Sequence, residues 1–174
     1  FYELRHFLRD DPFILTTVDT IFDESEFHDY VLSFQDKIAQ GTDALMGVTD
    51  YIDDEKPLYV GVDNVMHING YYDTPQADSH FISAGIYGLT APSLNILEAC
   101  IEKGESRMRN FQRALVAAGL RIEAYPLTKV FDIDHIDDIR KADEGVNNLS
   151  SCCKGKTLLI QRAACYSPNS EEKD

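Results

Sequence analysis

Apolar and polar positions along this chain change their spacing several times, and each change marks an element. Over residues 1–9, Tyr2, Leu4, Phe7 and Leu8 are spaced for one face of a helix, with no capping residue ahead of them. Asp11-Pro12 breaks that pattern. The following run, Phe13-Ile14-Leu15-Thr16-Thr17-Val18, is nearly all apolar or β-branched and predicts a strand buried on both faces. Asp23-Glu24-Ser25-Glu26 then places acids in a first turn, ahead of an apolar stripe through Phe27, Tyr30, Val31 and Phe34, as a helix start requires. Ala44–Thr49 predicts the next strand.

In the middle, Leu58–Val62 and Val65–Tyr72 flank Asp63-Asn64 and predict a hairpin, and Ser79–Leu89 predicts another core strand. Helical spacing returns over Pro92–Lys103 and Arg107–Ala118, the second ending at Gly119. Arg121–Tyr125 and Thr128–Asp134 are expected to close the sheet, followed by a short helix over Ile136–Ala142. Asn147–Ser151 reads as a linker, Lys156–Ile160 as a lone strand and Ser167–Asp174 as the cap of a further helix. The chain therefore divides into a domain over 1–146 and, over 147–174, a linker with the start of a second domain. Strand–helix alternation at both ends around an antiparallel insert predicts an α/β fold with a mixed sheet. An uncapped helix already under way at Phe1 suggests a piece of a longer protein.

Composition narrows the partners. Among 174 residues, 16 Lys and Arg face 30 Asp and Glu, a formal charge of −14 that repels phosphodiester backbones and anionic lipid. Neither a nucleic-acid binder nor a membrane-surface binder is expected, and no apolar run has the ~20 residues needed to span a bilayer. The four Cys, at 100, 152, 153 and 165, form no CxxC pair, so a reducing cytoplasm is the default compartment.

Ligands of open α/β sheets collect outside the carboxyl ends of the strands. Two apolar runs here end in aspartate, Phe13–Val18 at Asp19 and Val130–Ile133 around Asp134. Carboxylates delivered to one rim suit a hard cation such as Mg²⁺, which takes one or two protein carboxylates and fills its shell with substrate phosphates. An Asp in such a place equally ends a strand or caps a helix. Spacing alone leaves both readings open.

The same residues carry a resemblance. Asp10-Asp11-Pro12-Phe13-Ile14-Leu15-Thr16-Thr17-Val18-Asp19 resembles the central strand of the nucleotidyltransferase superfamily that includes sugar-phosphate nucleotidylyltransferases and MobA-like enzymes. Phe81-Ile82-Ser83-Ala84-Gly85-Ile86-Tyr87 is similar to that family's acceptor-pocket strand, with Ser83 where Asn is usual. Phe131-Asp132-Ile133-Asp134-His135-Ile136-Asp137 resembles its closing acidic motif, and Gly70-Tyr71-Tyr72-Asp73-Thr74-Pro75 its sugar-contacting turn, with Asp73 and Thr74 replacing Glu and Lys. The matches run in family order from Phe1 to about Ala142. The family's Gly-rich nucleotide loop belongs upstream, and no such segment occurs in this sequence.

The resemblance implies a three-layer Rossmann-like fold with a mixed sheet, N-terminally truncated. It implies nucleotidyl transfer from an NTP to a phosphorylated acceptor such as a sugar phosphate, with Mg²⁺ as cofactor. Asp19 and Asp134 would be the catalytic metal ligands, with Asp132 in support, and Ser83, Gly85 and Asp73 would border the acceptor. Lys56, in Asp53-Asp54-Glu55-Lys56-Pro57, fits a solvated turn and, under the same resemblance, an acceptor-phosphate contact. The strand at Phe13–Val18 is then expected to expose an edge open to self-association. Two other classes fit parts of the pattern: a non-catalytic or degenerate module that binds a nucleotide sugar, and a metal-dependent glycosyltransferase-like domain marked by Asp132-x-Asp134.

Overall fold

The computed structural model describes residues 1–52, 56–77, 79–128 and 130–132. Within them the chain passes through a 3₁₀ helix (Tyr2–Phe7), β1 (Phe13–Thr16), β2 (Thr20–Ile21), α1 (Glu24–Ala39), β3 (Ala44–Thr49), β4 (Tyr59–Val62), β5 (Ile68–Tyr72), β6 (Phe81–Leu89), α2 (Ala91–Glu102), α3 (Met108–Ala117), β7 (Ile122–Leu127) and β8 (Phe131–Asp132). Asp134, the helix expected over Ile136–Ala142 and the 147–174 segment lie outside the described residues.

The main sheet runs β5-β4-β6-β3-β7, and β1 also pairs with β6. β3 and β7 are parallel and the other pairs of this sheet antiparallel, so the sheet is mixed. β6 is long enough to serve three partners. One edge carries β3; the other carries β4 at its start (Tyr59 opposite Ile82) and β1 at its end (Thr16 opposite Ile86). Among the described residues β1 pairs with β6 alone.

Helices cover both faces. On one, α1 packs Tyr30 and Phe34 against Ile14, Leu45 and Ile86. The Tyr30 hydroxyl donates to the Leu45 carbonyl at 2.6 Å, and Phe34 lies so close over Gly88 that a Cβ there would sit 2.6 Å from its ring. On the other face, α2 and α3 bring Leu94, Leu97, Phe111 and Leu115 against Met46, Val48, Tyr87 and Leu89. The result is the three-layer α/β arrangement expected from the alternating pattern.

Three details differ from the sequence reading. Residues Tyr2–Phe7 form a 3₁₀ rather than an α-helix, and none of them is buried. At three residues per turn Leu4 and Phe7 fall on the same outward side, with Phe7 86% exposed, while Phe1 packs its ring against Phe13 and Phe111. The first strand stops at Thr16. Finally, Phe131–Asp132 does not close the main sheet but pairs antiparallel with Thr20–Ile21 as a separate two-stranded ladder. Thr20 and Ile21 follow a turn that lifts them off β6, and their edge takes the later segment instead.

Candidate functional site

The site begins where β1 leaves the sheet. The Thr17 N–H donates to the Gly85 carbonyl at 3.0 Å, the last bond between this segment and β6. The Thr17 and Thr20 hydroxyls then hydrogen-bond each other, closing a turn over Val18 and Asp19. Asp19 is half-buried at this carboxyl end. Directly after it, Thr20 stands opposite Asp132 in the β2–β8 ladder. Facing residues of such a ladder lie about 5 Å apart at Cα, so the backbones of Asp19 and Asp132 arrive at one rim from distant parts of the sequence. Among the described residues no group of three His, Cys, Asp or Glu side chains converges as a metal centre.

β6 bends at the same place. Its pairing with β3 jumps from Met46–Tyr87 to Val48–Ser83, so that Ala84, Gly85 and Ile86 stand against Gly47 alone. Such a bulge re-aims a strand and commonly carries a residue in the left-handed region. Here that residue is Gly85, at φ +72°. A Cβ on Gly85 would lie 2.6 Å from the hydroxyl oxygens of both Thr17 and Thr20. Only glycine serves the bulge and leaves room for the two hydroxyls.

Two residues earlier, Ser83 begins the acceptor side. Its N–H donates to the Leu58 carbonyl at 2.9 Å, and its Oγ accepts from Gln112 Nε2 at 2.9 Å. Gln112 is 2% exposed on α3, an amide buried among apolar side chains and aimed at the sheet. Around it, Arg109 Nη1 and Arg113 Nη2 each bind one oxygen of Asp73, at 2.7 and 2.8 Å. Arg109 also donates to the Lys56 carbonyl at 3.3 Å and Arg113 Nε to the Tyr71 carbonyl at 3.1 Å. The Arg113 and Arg109 guanidiniums hold the Asp73 carboxyl below the usual aspartate range. Burial pushes the Tyr71 phenol far above the ordinary tyrosine range, so it is neutral at any working pH.

The structure therefore sets Asp19 and, by its backbone, Asp132 next to the turn that packs on Gly85, places Ser83 two residues earlier on β6, and joins Asp73, just past β5, and the Lys56 carbonyl, before β4, to the arginines of the helix that also binds Ser83. The Lys56 side chain is exposed, and what this segment gives the neighbouring cluster is its carbonyl. Sequence reasoning missed Thr17 and Thr20, whose role depends on the bulge. It also missed Arg109, Gln112 and Arg113. Their signal was present: three polar residues at i, i+3 and i+4 of an amphipathic helix, one of them where the apolar face should continue.

This arrangement is a known fold, the mixed-sheet α/β fold of sugar-phosphate nucleotidyltransferases. Among solved structures the chain resembles a protein described as a glucose-1-phosphate thymidylyltransferase from Bacillus anthracis, in complex with sucrose, with a TM-score of 0.69 at 16% identity over 90% of this chain and 61% of that one. It resembles the inositol-1-phosphate CTP transferase of T. maritima with a TM-score of 0.66 at 15% identity, over 90% of this chain and 62% of that one. A UDP-glucose pyrophosphorylase complexed with UDP-glucose matches with a TM-score of 0.67 at 15% identity, over 85% of this chain and 60% of that one. The chain thus spans about three-fifths of the length of these structures. No protein-family model matches the sequence, and no curated protein sequence matches it either.

Proposed function

We propose that this chain is the acceptor-side and metal-side part of an enzyme that transfers a nucleotidyl group from an NTP to a phosphorylated sugar or polyol. The observation that supports this best is the β2–β8 ladder, which sets Asp132 opposite Thr20 and hence beside Asp19, next to the Gly85 bulge. An acceptor phosphate oxygen forms a bond to the α-phosphorus of the NTP, the bond from that phosphorus to the bridging oxygen breaks, and pyrophosphate leaves. No side-chain nucleophile is needed, because alignment and charge neutralisation account for most of the rate.

Aspartate carboxylates are hard oxygen donors of the kind Mg²⁺ takes, so the donor set fits that ion. Asp19 and Asp134 would hold it, with Asp132 in support, and it would supply charge neutralisation at the phosphates. The rest is the work of the protein. The Gly85 bulge seats the Thr17 and Thr20 hydroxyls that close the turn carrying Asp19, Ser83 offers a hydroxyl fixed by Gln112, and Asp73 offers a carboxylate held ionised by two guanidiniums. A Gly-rich nucleotide loop, which this chain does not contain, would complete the triphosphate site.

Isothermal titration of the chain with UDP-glucose, with and without Mg²⁺, tests the reading. Binding is expected to strengthen with Mg²⁺, and Asp19→Asn is expected to remove that dependence while leaving the thermal melting profile in place. Binding indifferent to Mg²⁺ in the unaltered chain, or an unchanged Mg²⁺ dependence in Asp19→Asn, would sink it.

A further inference from the structure

On α3, the helix whose Gln112 binds Ser83, lies a second concentration of charge, and it is basic. Arg109 and Arg113 stand one turn apart on α3 and take separate oxygens of Asp73. Both guanidiniums are 34% exposed and the Asp73 side chain 59%, so solvent reaches the group. Among the described residues these three side chains carry one positive charge in excess, in a chain whose formal charge is −14. One exposed carboxylate gains little from ion pairing, about 0–1 kcal/mol, and needs only one partner. Two cations at i and i+4 repel each other. Among the described residues the pair has capacity left over, because a guanidinium has about five N–H donors while Arg109 uses Nη1 and Nη2 and Arg113 uses Nε and Nη2 on protein atoms.

We infer that the acceptor is a phosphorylated sugar or polyol carrying a second acidic group, a carboxylate or a further phosphate, at the end remote from its reacting phosphate, and that Arg109 and Arg113 receive that group beside Asp73. The inference rests on the nucleotidyl-transfer reading, which puts the reacting phosphate at the Asp19 and Asp132 rim. Gly85 stands against the Thr17–Thr20 turn that carries Asp19, and Ser83 lies two residues before it on β6. The basic pair stands on the same helix: Gln112, bonded to Ser83, lies three residues after Arg109, and residues three apart are neighbours on a helix surface. Asp73 holds the two guanidinium planes in place, leaving their outer N–H groups for an incoming acid.

The test compares glucose 1-phosphate with glucuronic acid 1-phosphate, which differ in the remote group alone, by titration into the full chain with Mg²⁺. Glucuronic acid 1-phosphate is expected to bind at least about tenfold tighter, the effect of one charge-assisted hydrogen bond. Arg113→Gln and Arg109→Gln are each expected to bring the two affinities to within about twofold. Arg113 also holds the Tyr71 carbonyl, so Arg109→Gln serves should the Arg113 variant melt early. Asp73→Asn, which removes the carboxylate that competes for the pair, is expected to widen the preference. Equal affinities in the unaltered chain, or a preference that survives both arginine substitutions, overturns the inference and leaves the reaction class standing. Failure of both ligands to bind overturns the reaction class, and the inference with it.

Discussion

Gly85 combines two constraints that usually act separately. Its φ of +72° costs any L-residue about 1–2 kcal/mol, and the space where a methyl would go is filled by two threonine hydroxyls. Gly119 offers the comparison, because at φ +75° it has the same backbone strain and nothing within 4 Å of a would-be Cβ. Gly119→Ala is therefore expected to lower the unfolding free energy by about 1 kcal/mol, the cost of strain alone. Gly85→Ala is expected to lose about 2–3 kcal/mol, since the turn over Val18 and Asp19 must also move. Urea unfolding of the two variants measures the difference, and equal losses would show that the hydroxyls yield freely. The sequence shows a glycine at 85 but not why it is needed there, because the two threonines reach it only when β1 is laid against β6.

At the scale of elements, local chemistry decided most of what was legible. The start of α1 is an example: the Asp23 carboxylate accepts from the Ser25 and Glu26 N–H groups at 2.8 and 3.2 Å. Replacing it by Ala is expected to cost about 1 kcal/mol, read as a lower melting temperature, while Asp23→Asn, which keeps the acceptor, is expected to lose less than half of that. The end of α3 before Gly119, the hairpin of β4 and β5 and the all-buried β3 were equally readable, since each depends on residues a few positions apart. Glu26 shows where the local view stops. Its side chain also accepts from the Thr128 N–H at 3.2 Å, 102 residues away, and so fixes the chain on its way to β8. Nothing near Thr128 in the sequence announces that partner, and the expectation that this segment would close the main sheet failed there.

Across the whole molecule, Glu123 ties together parts that share no local signal. It is 2% exposed on β7, yet it binds Lys37 of α1, accepts from the Thr42 hydroxyl at 2.6 Å and pairs with Arg121 at 3.2 Å. Burial alone would push its carboxyl up, but the hydrogen bonds from Lys37 and Thr42 and the charges of Lys37 and Arg121 outweigh that and hold it below the ordinary value of 4.5. A depressed folded-state pKa means a stabilisation fully present above that ordinary value and lost as pH falls through the folded-state one. Glu123→Gln is therefore expected to be less stable than the parent by about 2 kcal/mol near neutral pH, with the gap closing in strong acid. Chemical denaturation across the acid range checks it; a gap that stays constant with pH would assign the effect to packing. The hairpin loop adds to this corner through its backbone, where the Met66 carbonyl accepts from the Ala124 N–H at 2.8 Å and the main chain at His67 pairs antiparallel with that at Glu123.

What the sequence by itself determined was the succession of elements and the α/β class, because capping and burial period act over a few residues; Asp19, Ser83, Gly85 and Asp73 it offered as candidates, through a resemblance of short motifs. Only the tertiary structure decided that β6 takes two residues more than its partner at Gly85, that Asp132 faces Thr20, and that Asp73 is shared by Arg109 and Arg113. Those pairings join residues 35 and more positions apart. Their closure is favoured only by the summed packing of the three layers, and no run of neighbouring residues encodes that sum.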